Sequence, residues 1–210
     1  MRDRNAPLTP SDLDALAWDK MDGLLPAIVQ DAGTGQVLML GYMDRAALAA
    51  TLASGFATFF SRSKQRLWQK GEASGNRLSV KAVVADCDED ALLVRAVPEG
   101  QTCHLGTTSC FEVEGPTGVG FLGQLARIVH ERGQADPSES YTARLLGEGV
   151  QRIAQKVGEE GVEVALAGVG RDAAGCAEET ADLLYHLNVL MEAKGFGWDD
   201  VAKVLAARHR

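Results

Sequence analysis

The chain has 210 residues, 46% of them apolar and 24% charged, with a formal net charge of -8. That much apolar material builds one large core or two modest ones, and the acidic balance argues against a nucleic-acid backbone or an anionic membrane as main partner, since both need a basic face. The first 14 residues mix Arg2, Asp3, Arg4, Asp12 and Asp14 with two prolines, so no secretory signal is read there, and no run is long and apolar enough to cross a bilayer.

Residues 24–31 (LLPAIVQD) and 36–43 (QVLMLGYM) are apolar runs flanking Ala32-Gly33-Thr34-Gly35, which predicts two strands joined by a turn. Asp44 stands as the N-cap of a short helix over 45–54, and Gly55 where a left-handed residue would end it. Residues 57–62 (ATFFSR) return to strand, and 63–76 read as one long polar loop of a length that is usually functional. A further strand pair is expected over 77–87 and 91–97, with Asp86-Cys87-Asp88-Glu89-Asp90 at its junction and Pro98-Glu99-Gly100 as a turn beyond. After Phe111-Glu112-Val113-Glu114 the character changes, and Phe121, Leu122, Leu125, Ile128 and Val129 share one helical face ending near Gly133. Asp136-Pro137-Ser138-Glu139 predicts the next helix start, with Asp136 as N-cap; the helical pattern then runs into 151–167, unbroken or interrupted at Gly147 and Gly149. Helices are also expected over 177–194 and over 199–208, the latter capped by Trp198-Asp199. The fold class is therefore a β-rich α+β domain over residues 1–115, a linker at 116–118, and an all-α helical domain over 119–210.

The expected compartment is the cytoplasm, where the four cysteines serve as thiols or metal ligands rather than disulfides. On an extended backbone Asp86, Asp88 and Asp90 share one side while Cys87 points to the other, so a hard-cation site would sit back to back with a soft ligand. A solvated acidic turn is the plainer alternative. Cys103 and Cys110 lie in a polar, loop-like segment and, with Cys87, offer three thiolates suited to zinc with an open fourth position; unrelated free thiols or a redox pair are the alternatives. His104, beside Cys103, is read as a fourth ligand or a general base. The stretch 61–76 concentrates Arg62, Lys64, Arg66 and Lys70 with Ser61, Ser63 and Ser74, a group able to hold a phosphate, while Trp68 either stacks on a base or packs as a lid over the core.

The second half carries its own acidic constellation. Glu159, Glu160 and Glu163 lie close together on a helix with Lys156, and Glu179 and Asp182 do the same on the next, followed by His186. A solvated face is one reading of the first group. Asp182 sits among mostly apolar neighbours at 181–187, where an unpaired carboxylate is costly unless neutralised or coordinated. Two helices presenting these residues to each other would make a magnesium site for a polyphosphate.

The motifs Ser61-Arg62-Ser63-Lys64, Leu67-Trp68-Gln69-Lys70-Gly71-Glu72, Ser74-Gly75-Asn76, Asp86-Cys87-Asp88-Glu89-Asp90 and Cys103-His104 through Ser109-Cys110-Phe111 together resemble the phosphoribosyl-AMP cyclohydrolase family of histidine biosynthesis. That resemblance implies magnesium on Asp86, Asp88 and Asp90, zinc on Cys87, Cys103 and Cys110, and His104 as candidate base. It implies substrate contacts from Arg62, Lys64, Trp68, Lys70, Ser74 and Asn76, and a homodimer in which Cys87 crosses to the partner's zinc site. Lys64 stands where arginine is expected, which keeps charge and loses bidentate phosphate binding. Ser140-Tyr141-Thr142-Ala143, Lys156-Val157-Gly158-Glu159-Glu160 and the acidic pattern resemble the all-α phosphoribosyl-ATP pyrophosphatases, which implies magnesium on Glu159, Glu160, Glu163, Glu179 and Asp182. A fusion in this order implies two consecutive steps on small-molecule nucleotides: pyrophosphate release, then opening of the adenine ring between N1 and C6 by a zinc-activated water. The alternatives are a house-cleaning nucleotide pyrophosphatase with a zinc-stabilised binding module, and a non-enzymatic metal-dependent scaffold.

Overall fold

A computed structural model of the chain describes residues 6–111 and 115–209. Arg2, Asp3 and Arg4, and the change of character read at Glu112, Val113 and Glu114, lie outside the described residues. The chain divides into two compact units between Gly120 and Phe121.

The first apolar runs form β1 (Leu25–Asp31) and β2 (Val37–Met43), paired antiparallel. Alternation decides the faces: Leu25, Ala27 and Val29 are fully buried while Ile28 between them is exposed. Helix α1 (Arg45–Ser54) starts where the Asp44 carboxylate accepts from Ala47 N at 2.7 Å and stops at Gly55, φ 74°. It buries Ala47, Leu48 and Thr51.

Residues 63–76 are not one loop. β4 (Arg66–Gln69) pairs antiparallel with β3 (Thr58–Ser61) and sets Trp68 opposite Phe59, their ring centroids 5.3 Å apart. Leu67 and Trp68 are the only large apolar residues in that stretch, too few to reveal a strand by alternation.

β5 (Arg77–Ala85) and β6 (Leu92–Glu99) complete a four-stranded sheet in the order β2-β1-β6-β5. The β1–β6 pair is parallel and the other two are antiparallel. The residues before β1 also join this unit. Leu8, Leu13 and Leu16 are buried in its core, held by short 3-10 turns at Pro10–Ala15 and Trp18–Met21 that the apolar pattern did not reveal.

The second unit is all helix: α2 (Gly120–Gly133), α3 (Tyr141–Glu148), α4 (Val150–Gly170), α5 (Ala173–Lys194) and α6 (Trp198–Arg208). Asp136 does not start a helix. Its carboxylate accepts from Ser138 N at 2.7 Å in an isolated turn, and the N-cap of α3 is Ser140, whose hydroxyl accepts from Ala143 N at 3.2 Å. That hydroxyl also donates to the Arg132 carbonyl at 2.8 Å, tying the start of α3 to the end of α2. The break between α3 and α4 falls at Gly149, whose φ of 89° only glycine adopts readily. The N-cap of α6 is Gly197 rather than Trp198-Asp199. Val129, Leu145, Ile153 and Val189 form the core of this unit. Among the described residues, no helix is long and apolar enough to cross a membrane.

Candidate active sites

A cavity of about 500 Å³ opens in the first unit, lined by Trp68, Lys70, Ser74 and Asn76 on one wall and by Cys103, His104 and Cys110 on another. The first wall is the connection from β4 to β5. It turns tightly because Gly71, φ 85°, lies where a Cβ would meet the Asn76 backbone at 2.5 Å, and Lys70 Nζ donates to the Asn76 carbonyl at 3.2 Å. The second wall follows β6 and is pinned to β2, since Ser109 Oγ donates to the Val37 carbonyl at 2.9 Å and Cys110 N to the Leu38 carbonyl at 2.8 Å.

Cys103 is buried, with its Sγ accepting from Leu105 N at 3.5 Å and lying 4.0 Å from His104 Nδ1. Burial, then the neighbouring Cys103 charge and hydrogen bond, push the Cys110 thiol up; burial pushes Lys70 down, opposed by Cys110 and Cys103. Two facing thiols with an imidazole beside them are a soft donor set that fits zinc, and a metal would draw off the proton that burial favours on Cys110.

Three expected contributors stand apart from this cavity. Arg62 lies 3.8 Å over the Tyr42 ring and lines a smaller cavity, while Lys64 lines another with Ser61 and Arg66. Trp68 borders all three cavities and packs on the core, as its reading as a lid over the core expects. Cys87 lies beyond the other end of β5, whose 9 residues amount to about 30 Å of strand.

The stretch from Asp86 to Asp90 is a turn and not an extended segment, so the back-to-back alternation does not describe it. Asp86 Oδ1 accepts from Asp90 N and Ala91 N, both at 3.1 Å, and Glu89 adopts φ 65°. Turn formation still gathers the carboxylates: oxygens of Asp86, Asp88 and Asp90 lie within 4.8 Å of one another. Cys87 sits beside them, its Sγ 3.9 Å from Asp88 Oδ1. An all-carboxylate set of this size fits a hard divalent cation such as magnesium.

In the helical unit, oxygens of Glu160, Glu179 and Asp182 also lie within 4.8 Å of one another. Glu160 and Glu179 are buried, whereas Asp182 is exposed, so burial is not what makes its carboxylate notable. Its apolar neighbours in sequence turn to other faces of α5. Basic groups balance the buried pair: Lys156 Nζ is 2.9 Å from Glu160, and Arg171 Nη1 is 2.5 Å from Glu179. Glu159 is drawn to Lys156 at 2.9 Å and Arg152 at 3.7 Å. Glu163 borders the cluster, and the Glu160 charge, then a hydrogen bond with Glu179, raises its carboxyl above the usual range. His186 is buried behind Glu160, its Nδ1 3.5 Å from Glu160 Oε1 and its Nε2 3.3 Å from the Tyr141 hydroxyl.

Comparison with known proteins divides at the same place. Residues 39–112 match the phosphoribosyl-AMP cyclohydrolase family, and residues 122–209 match the phosphoribosyl-ATP pyrophosphohydrolase family. The chain is 59% identical over 199 residues to the histidine biosynthesis bifunctional protein HisIE of Xanthomonas campestris, covering 94% of this chain and 95% of that one. It is 53% identical over 203 residues to the HisIE protein of Escherichia coli, covering 97% and 100%. On that similarity over nearly the whole length, the chain belongs to the HisIE family of bifunctional histidine-biosynthesis hydrolases, with cyclohydrolase and pyrophosphohydrolase activities.

Proposed function

We propose that the helical unit releases pyrophosphate from phosphoribosyl-ATP, and that the first unit then opens the adenine ring of the resulting phosphoribosyl-AMP. The observation that carries this reading is the cavity in which Cys103, Cys110 and His104 face Lys70, Ser74 and Asn76. A soft-metal donor set and an anion-holding wall meet there across a space of nucleotide size. On this reading residues 1–115 are the cyclohydrolase domain, 116–118 the linker and 119–210 the pyrophosphatase domain.

Cys103 and Cys110 would hold zinc, and the metal would supply Lewis-acid activation of a water for ring opening. Around it the chain's own groups do the rest. Lys70, Ser74 and Asn76 bind and orient the phosphoribosyl end, with Arg62 and Lys64 lending charge from the adjoining cavities. Trp68 stacks on the ring, and His104 takes the proton of the attacking water through its imidazole. In the helical unit Glu160, Glu179 and Asp182, with Glu159 and Glu163 at the margin, would hold magnesium, which would supply charge stabilisation for pyrophosphate release. Asp86, Asp88 and Asp90 hold magnesium in the first unit. Supplying phosphoribosyl-ATP to zinc- and magnesium-loaded protein and following pyrophosphate and the ring-opened product separately tests the scheme. Broad triphosphate hydrolysis without ring opening would support the house-cleaning alternative.

Cys87 completes the zinc set from a second copy of the chain, in a homodimer that works in the cytoplasm. Support comes from distance, because the length of β5 separates Cys87 from Cys103 and Cys110 of its own chain. Mixing the individually inactive Cys87→Ala and Cys103→Ala proteins under conditions of subunit exchange should restore about a quarter of wild-type ring opening, since half the dimers are mixed and each has one intact site. A mixture that stays inactive after exchange argues for a site built within one chain.

A further inference from the structure

Lys20 had no role in the sequence reading, yet it holds the position of a cation. Its ammonium lies 2.7 Å from Asp88 Oδ2 and 3.3 Å from Asp90 Oδ2, and it donates to the Asp88 carbonyl at 3.2 Å. Two of the three clustered aspartates are therefore paired with a cation from within the chain.

A docked segment brings the lysine there. Leu8 N donates to the Val83 carbonyl of β5 at 2.7 Å, and Ala17 N to the Glu89 carbonyl in the acidic turn itself at 2.9 Å. The Trp18 indole donates to the Leu13 carbonyl at 2.7 Å, and Leu8, Leu13 and Leu16 anchor the segment in the core. The turn carrying Lys20 closes at Asp22, φ 50°, whose N–H donates to the Trp18 carbonyl. The backbone under Lys20 is thus fixed on both sides, and only the side chain is free to leave.

We propose that Lys20 is a tethered competitor for the divalent cation at the acidic turn, pairing with Asp88 and Asp90 until the metal binds and then releasing its ammonium to solvent. The proposal rests on the assignment of Asp86, Asp88 and Asp90 as magnesium ligands made above. Magnesium binds carboxylate oxygens at about 2.1 Å, and an ammonium donating to the same oxygens would stand within a few ångströms of a second positive charge. Both cannot keep the site. Release is inexpensive, because the Lys20 and Asp88 side chains are 48% and 56% exposed and solvent screens their pairing. A compact, strongly hydrated ammonium on a flexible stem suits a group that must come and go, which a bidentate guanidinium would do less readily. Lys20 therefore sets the concentration of divalent cation at which the turn fills, and does not block it.

The test is metal binding by the full-length protein, with manganese as the probe and free manganese followed by electron paramagnetic resonance. Manganese also reaches the helical unit, so the turn site is defined as the component lost in Asp86→Asn, a variant that keeps the acceptor for Asp90 N and Ala91 N. Lys20→Met, which keeps the apolar stem, is expected to bind that component about three- to tenfold more tightly than wild type, and Lys20→Arg no more tightly than wild type. Unchanged or weaker binding by a folded Lys20→Met protein overturns the proposal, as does equal tightening by Lys20→Arg, which would show that the positive charge is not the competitor. If Asp86→Asn removes no component, the assignment of the aspartates themselves fails instead, so the two failures are told apart.

Discussion

Replacing Cys103 with alanine is expected to abolish ring opening of phosphoribosyl-AMP while pyrophosphate release from phosphoribosyl-ATP stays within about twofold of wild type. Of the two cavity thiols, Cys103 is the buried one, accepting from Leu105 N with His104 Nδ1 4.0 Å away. A three-ligand site that loses one thiolate keeps too few donors to hold zinc against solvent, so the activity should fall at least about a hundredfold. The side chain is small, and its replacement removes little packed volume, so the fold should survive. Product-resolved chromatography with each substrate supplied separately checks the result. Parallel loss of both activities would mean that the two sites are not separable.

The second large effect is expected in the helical unit. Glu160→Gln should lower pyrophosphate release at least about a hundredfold and leave turnover of supplied phosphoribosyl-AMP unchanged. Glu160 is the buried member of its cluster that also meets Lys156 at 2.9 Å and His186 at 3.5 Å. The amide keeps the volume but removes the charge that a metal needs. Glu163→Gln, outside the tight group of oxygens, should cost less. Equal effects of the two substitutions would shift the metal site toward Glu163. Far-ultraviolet dichroism distinguishes lost chemistry from lost helix, since the amide leaves Lys156 without its buried partner.

Strands read as apolar runs flanking a glycine-containing turn, such as β1, and caps with a single strong chemistry, such as Asp44, were legible from the residues alone. So was the presence of Cys103, His104 and Cys110 on one segment. β4 was hidden because its neighbours are charged and its partner lies across a hairpin, where a lone Trp68 opposite Phe59 stabilises the pair. The convergence of Asp86, Asp88 and Asp90 was expected for the wrong reason. A left-handed residue at Glu89 and two backbone donors to Asp86 gather them, and strand alternation plays no part. Asp136 was read as the cap, yet the bond from Ser140 to the Arg132 carbonyl, which is tertiary and invisible to local pattern, accompanies a start of α3 at Ser140. Asp182 looked buried because its sequence neighbours are apolar, but a helix distributes neighbours over different faces. Lys20 was unreadable for the same kind of reason, since its partners are 68 and 70 residues away.

The strand order bears on how such a chain can be divided. β1 lies between β2 and β6, yet residues 39–112, which match the cyclohydrolase family, begin inside β2 and leave β1 out. The portion that carries the recognisable chemistry is therefore shorter than the portion that can fold. A fragment cut to the family match would lack its central strand, along with the buried Leu8, Leu13 and Leu16, and would leave the inner edges of β2 and β6 open to pairing with other chains. Separating the two activities onto independent polypeptides is a matter of respecting the sheet rather than the motif.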